Sequence, residues 1–315
     1  MSSIFITGVT GFIGSNLARA MLDRGHEVTA MIRPESSLWR IQDLKGRMKI
    51  YDTGLLDLER LKKAMHDVGP EYIFHLATYG SYPRSQKDSL RMMQTNIIGT
   101  YNLLNASLDV PYKCFVNTGT SSEYGLKSAP MKEDDVLEPN SIYGVSKAAA
   151  TMLCRNFAMS HGKNIFTFRP FSVYGYFEDR QRLFPEVIVG CISGNDVSLS
   201  DGKQKRDYLF IDDLIEAYAM AMGKKNIAGH VFNISSGIDL SVREIAETIR
   251  RLAGSDNRLL FGKREKQPFE AEICWRADIS AAKKMIGWKP RTSLVDGVSR
   301  TIEWFRENMS LYSKA

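Results

Sequence analysis

The chain has 315 residues, 43% of them hydrophobic and 25% charged, with a formal net charge of +6. That is enough chain to bury a full core in one large or two joined domains, and no apolar run reaches the roughly 20 residues that a membrane-spanning helix needs. The basic residues are dispersed, so the excess charge is assigned to solvated surface and to the phosphates of a small ligand, with no nucleic-acid or membrane partner expected.

The first half alternates. Short runs rich in Ile, Val, Phe and Tyr predict strands over 3–7, 27–32, 48–51, 72–76, 114–118 and 164–169. Between them lie helical stripes, Ile13, Leu17, Ala20 and Met21 in one and Leu58, Leu61, Ala64, Met65 and Val68 in another. Repeated strand–helix units predict a parallel sheet covered on both faces. The chain starts directly on its first strand, so no signal peptide is expected. The second half predicts helices over 182–191, 210–221, 242–252, 279–286 and 294–305, the third opened by a capping box of Ser241 and Glu244. A strand over 231–234 is expected to return to the first sheet. The division into 1–170, a dinucleotide-binding domain, and 171–315, mainly a substrate-binding domain, falls near Pro170. The four cysteines, Cys114, Cys154, Cys191 and Cys274, form no CxxC pair. Neither a metal site nor a disulfide framework is expected, and a cytoplasmic setting is the simplest one.

The first strand runs straight into Gly8, Gly11 and Gly14, and a helix follows. The order strand, glycine turn, helix is what a dinucleotide pyrophosphate requires. One glycine makes the tight turn, one lets the backbone approach the phosphates, and one lets helix and strand pack closely. The helix N-terminus then offers unpaired N–H groups and a partial positive charge. The second strand ends in Ile32-Arg33 where an NAD site often carries an acid. Arg33 suits a 2′-phosphate, so NADP(H) is favoured and NAD(H) is the alternative.

Tyr143 and Lys147 stand one helical turn apart and share a face. A lysine ammonium beside a phenol favours its ionised form and so lowers its pKa, which lets the tyrosine exchange a proton with a substrate oxygen. Some twenty residues upstream, the strand over 114–118 ends at Thr120, whose hydroxyl is placed to hydrogen-bond the same oxygen.

These residues, with His75-Leu76-Ala77-Thr78, Thr95-Asn96, Tyr124-Gly125, Arg169-Pro170, Arg206-Asp207-Tyr208, Asp212-Asp213 and Gly287-Trp288, resemble the extended short-chain dehydrogenases/reductases. That family is also called the NAD-dependent epimerase/dehydratase family, and the resemblance is to its nucleotide-sugar branch. It implies an α/β fold: a Rossmann-type doubly wound parallel sheet with a smaller C-terminal α/β substrate-binding part. It further implies that Gly8, Gly11, Phe12, Ile13 and Gly14 hold the cofactor pyrophosphate, that Leu76 and Ala77 line its adenosine side, and that Pro170 and Val173 border the nicotinamide. Thr120, Tyr143 and Lys147 would form the catalytic group, with Tyr143 and Lys147 also touching the cofactor. Asn96, Ser121, Ser122, Arg206 and Arg264 are expected on the substrate side, Asn96 acting through its helix and Arg206 on the nucleotide diphosphate. Many relatives have a second phosphate-binding arginine, for which Arg264 or Lys266 is the nearest candidate here. A homodimer through helices over 90–108 and 146–159 is also implied.

The resemblance covers several reactions. Sugar 4,6-dehydratases carry an Asp-Glu pair after the catalytic Thr, and Ser121 and Ser122 replace it here. The stretches 75–80 and 173–185 are similar to CDP-abequose synthase-like 4-ketoreductases. With Arg33, they favour an NADP(H)-dependent reductase of a nucleoside-diphosphate 4-keto sugar. An NAD-dependent 4-epimerase is the alternative, and a non-catalytic nucleotide-binding sensor or scaffold is the reading from another class.

Overall fold

The computed structural model describes residues 1–82, 85–265 and 274–314. Seven parallel strands make the central sheet: β1 (Ser3–Thr7), β2 (Glu27–Ile32), β3 (Lys49–Asp52), β4 (Tyr72–His75), β5 (Cys114–Thr118), β6 (Ile165–Pro170) and β10 (Val231–Ile234). Their order is β10-β6-β5-β4-β1-β2-β3. The inner strands β1, β4, β5 and β6 are buried almost throughout. That explains why they read as continuous apolar runs and not as an alternating pattern.

Helices cover both faces. On one side lie α1 (Phe12–Asp23) and α7 (Ile211–Ala221), which pack on each other. On the other lie α2 (Leu58–Val68), α5 (Ile142–His161) and a long helix made of α3 (Ser89–Met93) and α4 (Gly99–Ala106). A π-helical turn, Gln94–Ile98, joins those last two. The separate apolar clusters on the two faces confirm a doubly wound arrangement. Among the described residues no helix is long and apolar enough to cross a membrane.

The remaining chain builds a smaller region. Three strands, β7 (Ser172–Tyr174), β9 (Lys205–Phe210) and β11 (Asp239–Ser241), form one sheet; β8 (Val197–Leu199) and β12 (Leu259–Phe261) form another. Around them pack α6 (Leu183–Ser193), α8 (Val242–Ala253) and α9 (Leu294–Asn308). The capping box at α8 forms as expected, Ser241 accepting from the Glu244 amide at 3.2 Å. Strand β10 pairs with β6 in parallel, so the chain leaves the large sheet after Pro170 and returns to it. The short strands of the second half escape sequence reading because three residues carry no period.

After β3 the chain crosses from one half of the sheet to the other, so β1 and β4 are neighbours whose onward connections diverge. Their C-terminal ends, Thr7 and His75, pair in register. Such a point leaves a crevice at the strand ends, where ligands of open α/β sheets bind.

Candidate active site

A cavity of about 1790 Å³ opens at that crevice. It exceeds the ~300–1,000 Å³ of a site for one small ligand and has room for two. Its walls bring together Gly8, Gly11, Phe12, Ile13, Gly14, Arg33, Leu76, Ala77, Thr120, Ser121, Ser122, Tyr143, Lys147, Pro170, Val173 and Arg206. Two expected site residues, Asn96 and Arg264, are not among them.

The glycine turn fits a pyrophosphate on its own geometry. Gly8 has φ +75°, and a Cβ there would lie 2.5 Å from the Ala77 amide nitrogen. A Cβ on Gly14 would lie 2.2 Å from the Gly8 carbonyl oxygen. Helix α1 begins at Phe12 with no side-chain cap, so its first N–H groups face the cavity ready for an anion.

At the far end of β2, Arg33 lies 3.4 Å from Glu35, and Arg91 approaches the same carboxylate at 4.0 Å. Both Arg33 and Glu35 line the cavity. Glu35 sits three residues beyond the end of β2 at Ile32. Its carboxylate partly offsets the charge a 2′-phosphate would need, although an exposed pair of this kind is weak.

Tyr143 and Lys147 share one wall of the cavity, as their spacing requires. Ser141 caps the helix that carries them, its Oγ accepting from the Gly144 amide at 3.1 Å. The expected acidification of the phenol by Lys147 is not what the geometry produces. Burial pushes the Tyr143 phenol up to about 12. Hydrogen bonds with Thr78 and Thr120 oppose this shift, and the negative charge of Glu123 adds to it. Burial also lowers the Lys147 pKa, against the pull of Glu123. Desolvation outweighs the pairwise attraction, with Lys147 buried and Tyr143 half-buried among protein groups.

Glu123 is fully buried. One carboxylate oxygen accepts from the Thr120 amide at 2.8 Å and the other from Arg169 Nε at 2.8 Å. With Thr120 as cap it closes a capping box over Ser121–Glu123. This box holds Thr120 at the cavity edge. The Thr-x-x-Glu pattern of Thr120 and Glu123 is the sequence signature of this box.

Asn96 requires a correction. Its side chain is 1% exposed and fully engaged. Oδ1 accepts from Thr78 Oγ1 at 3.1 Å and from the Tyr79 amide at 2.8 Å; Nδ2 donates to the Tyr79 carbonyl and to Ser146 Oγ, each at 2.9 Å. No donor or acceptor is left for a substrate. Asn96 positions the loop after β4 against α5, and through Thr78 it reaches Tyr143. The π turn that holds it is a common device near functional sites.

Arg264 is the second correction. Its guanidinium is held by the Glu186 carboxylate of α6 and donates to the Ser198 carbonyl at 2.8 Å. The residue extends the β8–β12 pairing, with its amide bonded to the Leu199 carbonyl. It stands outside the cavity, and Lys266 lies outside the described residues. Arg206, by contrast, lies in the cavity wall with its guanidinium 4.9 Å from the Trp275 ring centroid. Its Nη1 donates to the Lys205 carbonyl at 2.7 Å. Asp207 accepts from Ser236, Gly237 and Ala277, and Asp212 pairs with Arg300. Trp275 itself donates to Ser121 Oγ at 3.2 Å. Trp275, Glu178 and Arg182 also line the cavity; the last two fall in the stretch 173–185, which the sequence marks by resemblance without giving either residue a role. His75 is buried, with its ring nitrogens 2.7 Å from Thr7 Oγ1 and 2.9 Å from Thr100 Oγ1. It is a packing residue, held neutral by burial, with its pKa down at about 3.

Residues 4–235 match the model of the NAD dependent epimerase/dehydratase family. A UDP-N-acetyl-alpha-D-glucosaminuronate decarboxylase of Bacillus cytotoxicus is 30% identical over 96% of this chain and 97% of its own. The UDP-glucose 4-epimerase of Thermotoga maritima, solved with UDP-glucose, superposes with a TM-score of 0.88 at 28% identity, covering 97% of this chain and 99% of that one. The UDP-glucuronic acid 4-epimerase of Bacillus cereus, solved with UDP-glucuronic acid and NAD, gives 0.85 at 29% identity, covering 96% and 99%.

Proposed function

The chain belongs to the NAD dependent epimerase/dehydratase family of nucleotide-sugar enzymes, and within it we propose an NAD-dependent 4-epimerase of a nucleoside-diphosphate hexose. The observation that carries this reading is the joint placement of Thr120, Tyr143 and Lys147 in one cavity wall with the glycine turn. The loop after Thr120 offers hydroxyls, from Ser121 and Ser122, where elimination would need carboxylates. Its one acid, Glu123, is consumed by Arg169 and the Thr120 amide. This favours epimerisation over dehydration.

The first preference from sequence, an NADP(H)-dependent 4-ketoreductase, gives way to this reading. Glu35 beside Arg33 disfavours a 2′-phosphate, and the Bacillus cereus relative was solved with NAD.

Bound NAD supplies a reversible hydride acceptor. Tyr143 handles the proton on the sugar O4. With its pKa at about 12 the phenol holds its own proton at neutral pH, so donation to an alkoxide is its easier step. Removal of the hydroxyl proton calls on Tyr143 as its phenolate, the form that the Lys147 ammonium in the same wall favours, and the same phenol returns that proton to O4 when the hydride comes back. Thr120 steadies the same oxygen. Arg206, with Trp275 behind it, is placed for the diphosphate.

The test is incubation of the purified chain with NAD and UDP-glucose, following UDP-galactose. Interconversion is expected, and Tyr143→Phe should lower kcat by about 10²–10⁴-fold. Unchanged turnover in that variant would remove Tyr143 from the mechanism.

A further inference from the structure

The cavity holds a carboxyl that the reaction above does not use. Glu178 is 4% exposed and lines the cavity. Its Oε2 has no hydrogen-bond partner among the described residues, and its Oε1 lies 3.6 Å from Arg182 Nε. A buried acceptor left unpaired costs about 1–3 kcal/mol, so such a group calls for an explanation.

The backbone is held in a costly shape to place it there. Phe177, the residue before it, has φ +64°, in the left-handed region that non-glycine residues avoid. Arg19 lies 4.0 Å over the Phe177 ring, Trp304 packs beside it at 4.7 Å, and Arg40 Nε donates to its carbonyl at 2.8 Å. Tyr312 donates to the Glu178 carbonyl, also at 2.8 Å. The loop is over-determined from three directions, and Glu178 is fixed in the wall it lines.

We propose that Glu178 and Arg182 form one anion-recognising couple, the neutral carboxyl donating a hydrogen bond and the guanidinium supplying charge to the same ligand oxygen. The inference rests on the reading that this cavity binds a dinucleotide and a nucleotide sugar. Burial pushes the Glu178 carboxyl up to about 8, with Arg182 opposing the shift, Asp179 adding to it and a hydrogen bond from the Gly175 backbone also opposing it. Arg40, Tyr82 and Tyr312 complete the charged and titratable surroundings. A carboxyl in this state is mainly protonated at neutral pH, an O–H donor where a carboxylate would repel an anion. Arg182 also acts on the ionisation of Tyr143, which puts the couple near the catalytic end of the cavity.

Two sources offer an anionic oxygen, the dinucleotide pyrophosphate and the nucleotide sugar, through its diphosphate or a uronate carboxylate. Calorimetric titration of NAD, UDP-glucose and UDP-glucuronate at pH 7 and pH 9 distinguishes them. A carboxyl titrating at about 8 is about one-tenth ionised at the lower pH and about nine-tenths at the higher. Affinity for the ligand that meets the couple should therefore fall about tenfold between them. Glu178→Gln keeps an N–H donor and should flatten that loss. In the unmodified protein, binding of the same ligand at pH 8.5 should take up protons, seen by comparing buffers of different ionisation enthalpy. Parallel pH profiles in the two proteins with no proton uptake would overturn the couple and leave the epimerase reading standing. Failure of all three ligands to bind at either pH would remove both.

Discussion

Tyr143 shows how burial and charge compete at one side chain. Placed one turn from Lys147, it would be acidified if the two sat in a polar setting. In a cavity wall, desolvation dominates, and Glu123 pushes the same way. Glu123 in turn is paired with Arg169 at 2.8 Å, with both side chains nearly inaccessible. A buried pair of this kind is costly to break from one side, since the remaining ion is left without a partner. Glu123→Gln should lower unfolding free energy by about 3–5 kcal/mol, measured by urea denaturation. A loss below about 1 kcal/mol would mean that the Thr120 turn is held by something other than this pair.

At the scale of elements, the site is a set of strand ends and helix starts. Thr7 and Gly8 end β1, Leu76 to Thr78 follow β4, Thr120 follows β5, and Tyr143 opens α5. Strand β1 and helix α1 fit together only because Gly14 has no side chain, its missing Cβ pointing at the Gly8 carbonyl. Gly14→Ala must push backbone against backbone. It should weaken NAD binding at least tenfold and cost about 1–3 kcal/mol of stability; affinity within twofold of the parent, by calorimetry, would show that the turn can yield. These long-period features were legible in the sequence. The strands of the central sheet are continuous apolar runs, and the glycine turn and the Tyr–Lys pair lie within single elements. What the sequence hid was assembled across distance. Trp275 meets Arg206 and Ser121, Arg182 meets Glu178, and Asn96 bridges the β4 loop and α5. Arg264 belongs with these, because only the β8–β12 pairing tells where its side chain goes.

For the whole molecule, the cavity lies where the large sheet's C-terminal edge meets the smaller region. The large sheet supplies Gly8, Thr120 and Tyr143; the later chain supplies Arg206, Trp275, Glu178 and Arg182. Strand β10, returning to β6, ties the two parts together. In the proposed reaction this enclosure takes hydrogen from C4 of a sugar and returns it to the opposite face without exchange with water. UDP-glucose carrying deuterium at C4 tests that directly. Mass spectrometry of the UDP-galactose formed should find the deuterium retained at C4. Loss of the label to solvent, or its appearance at another carbon, would contradict the account.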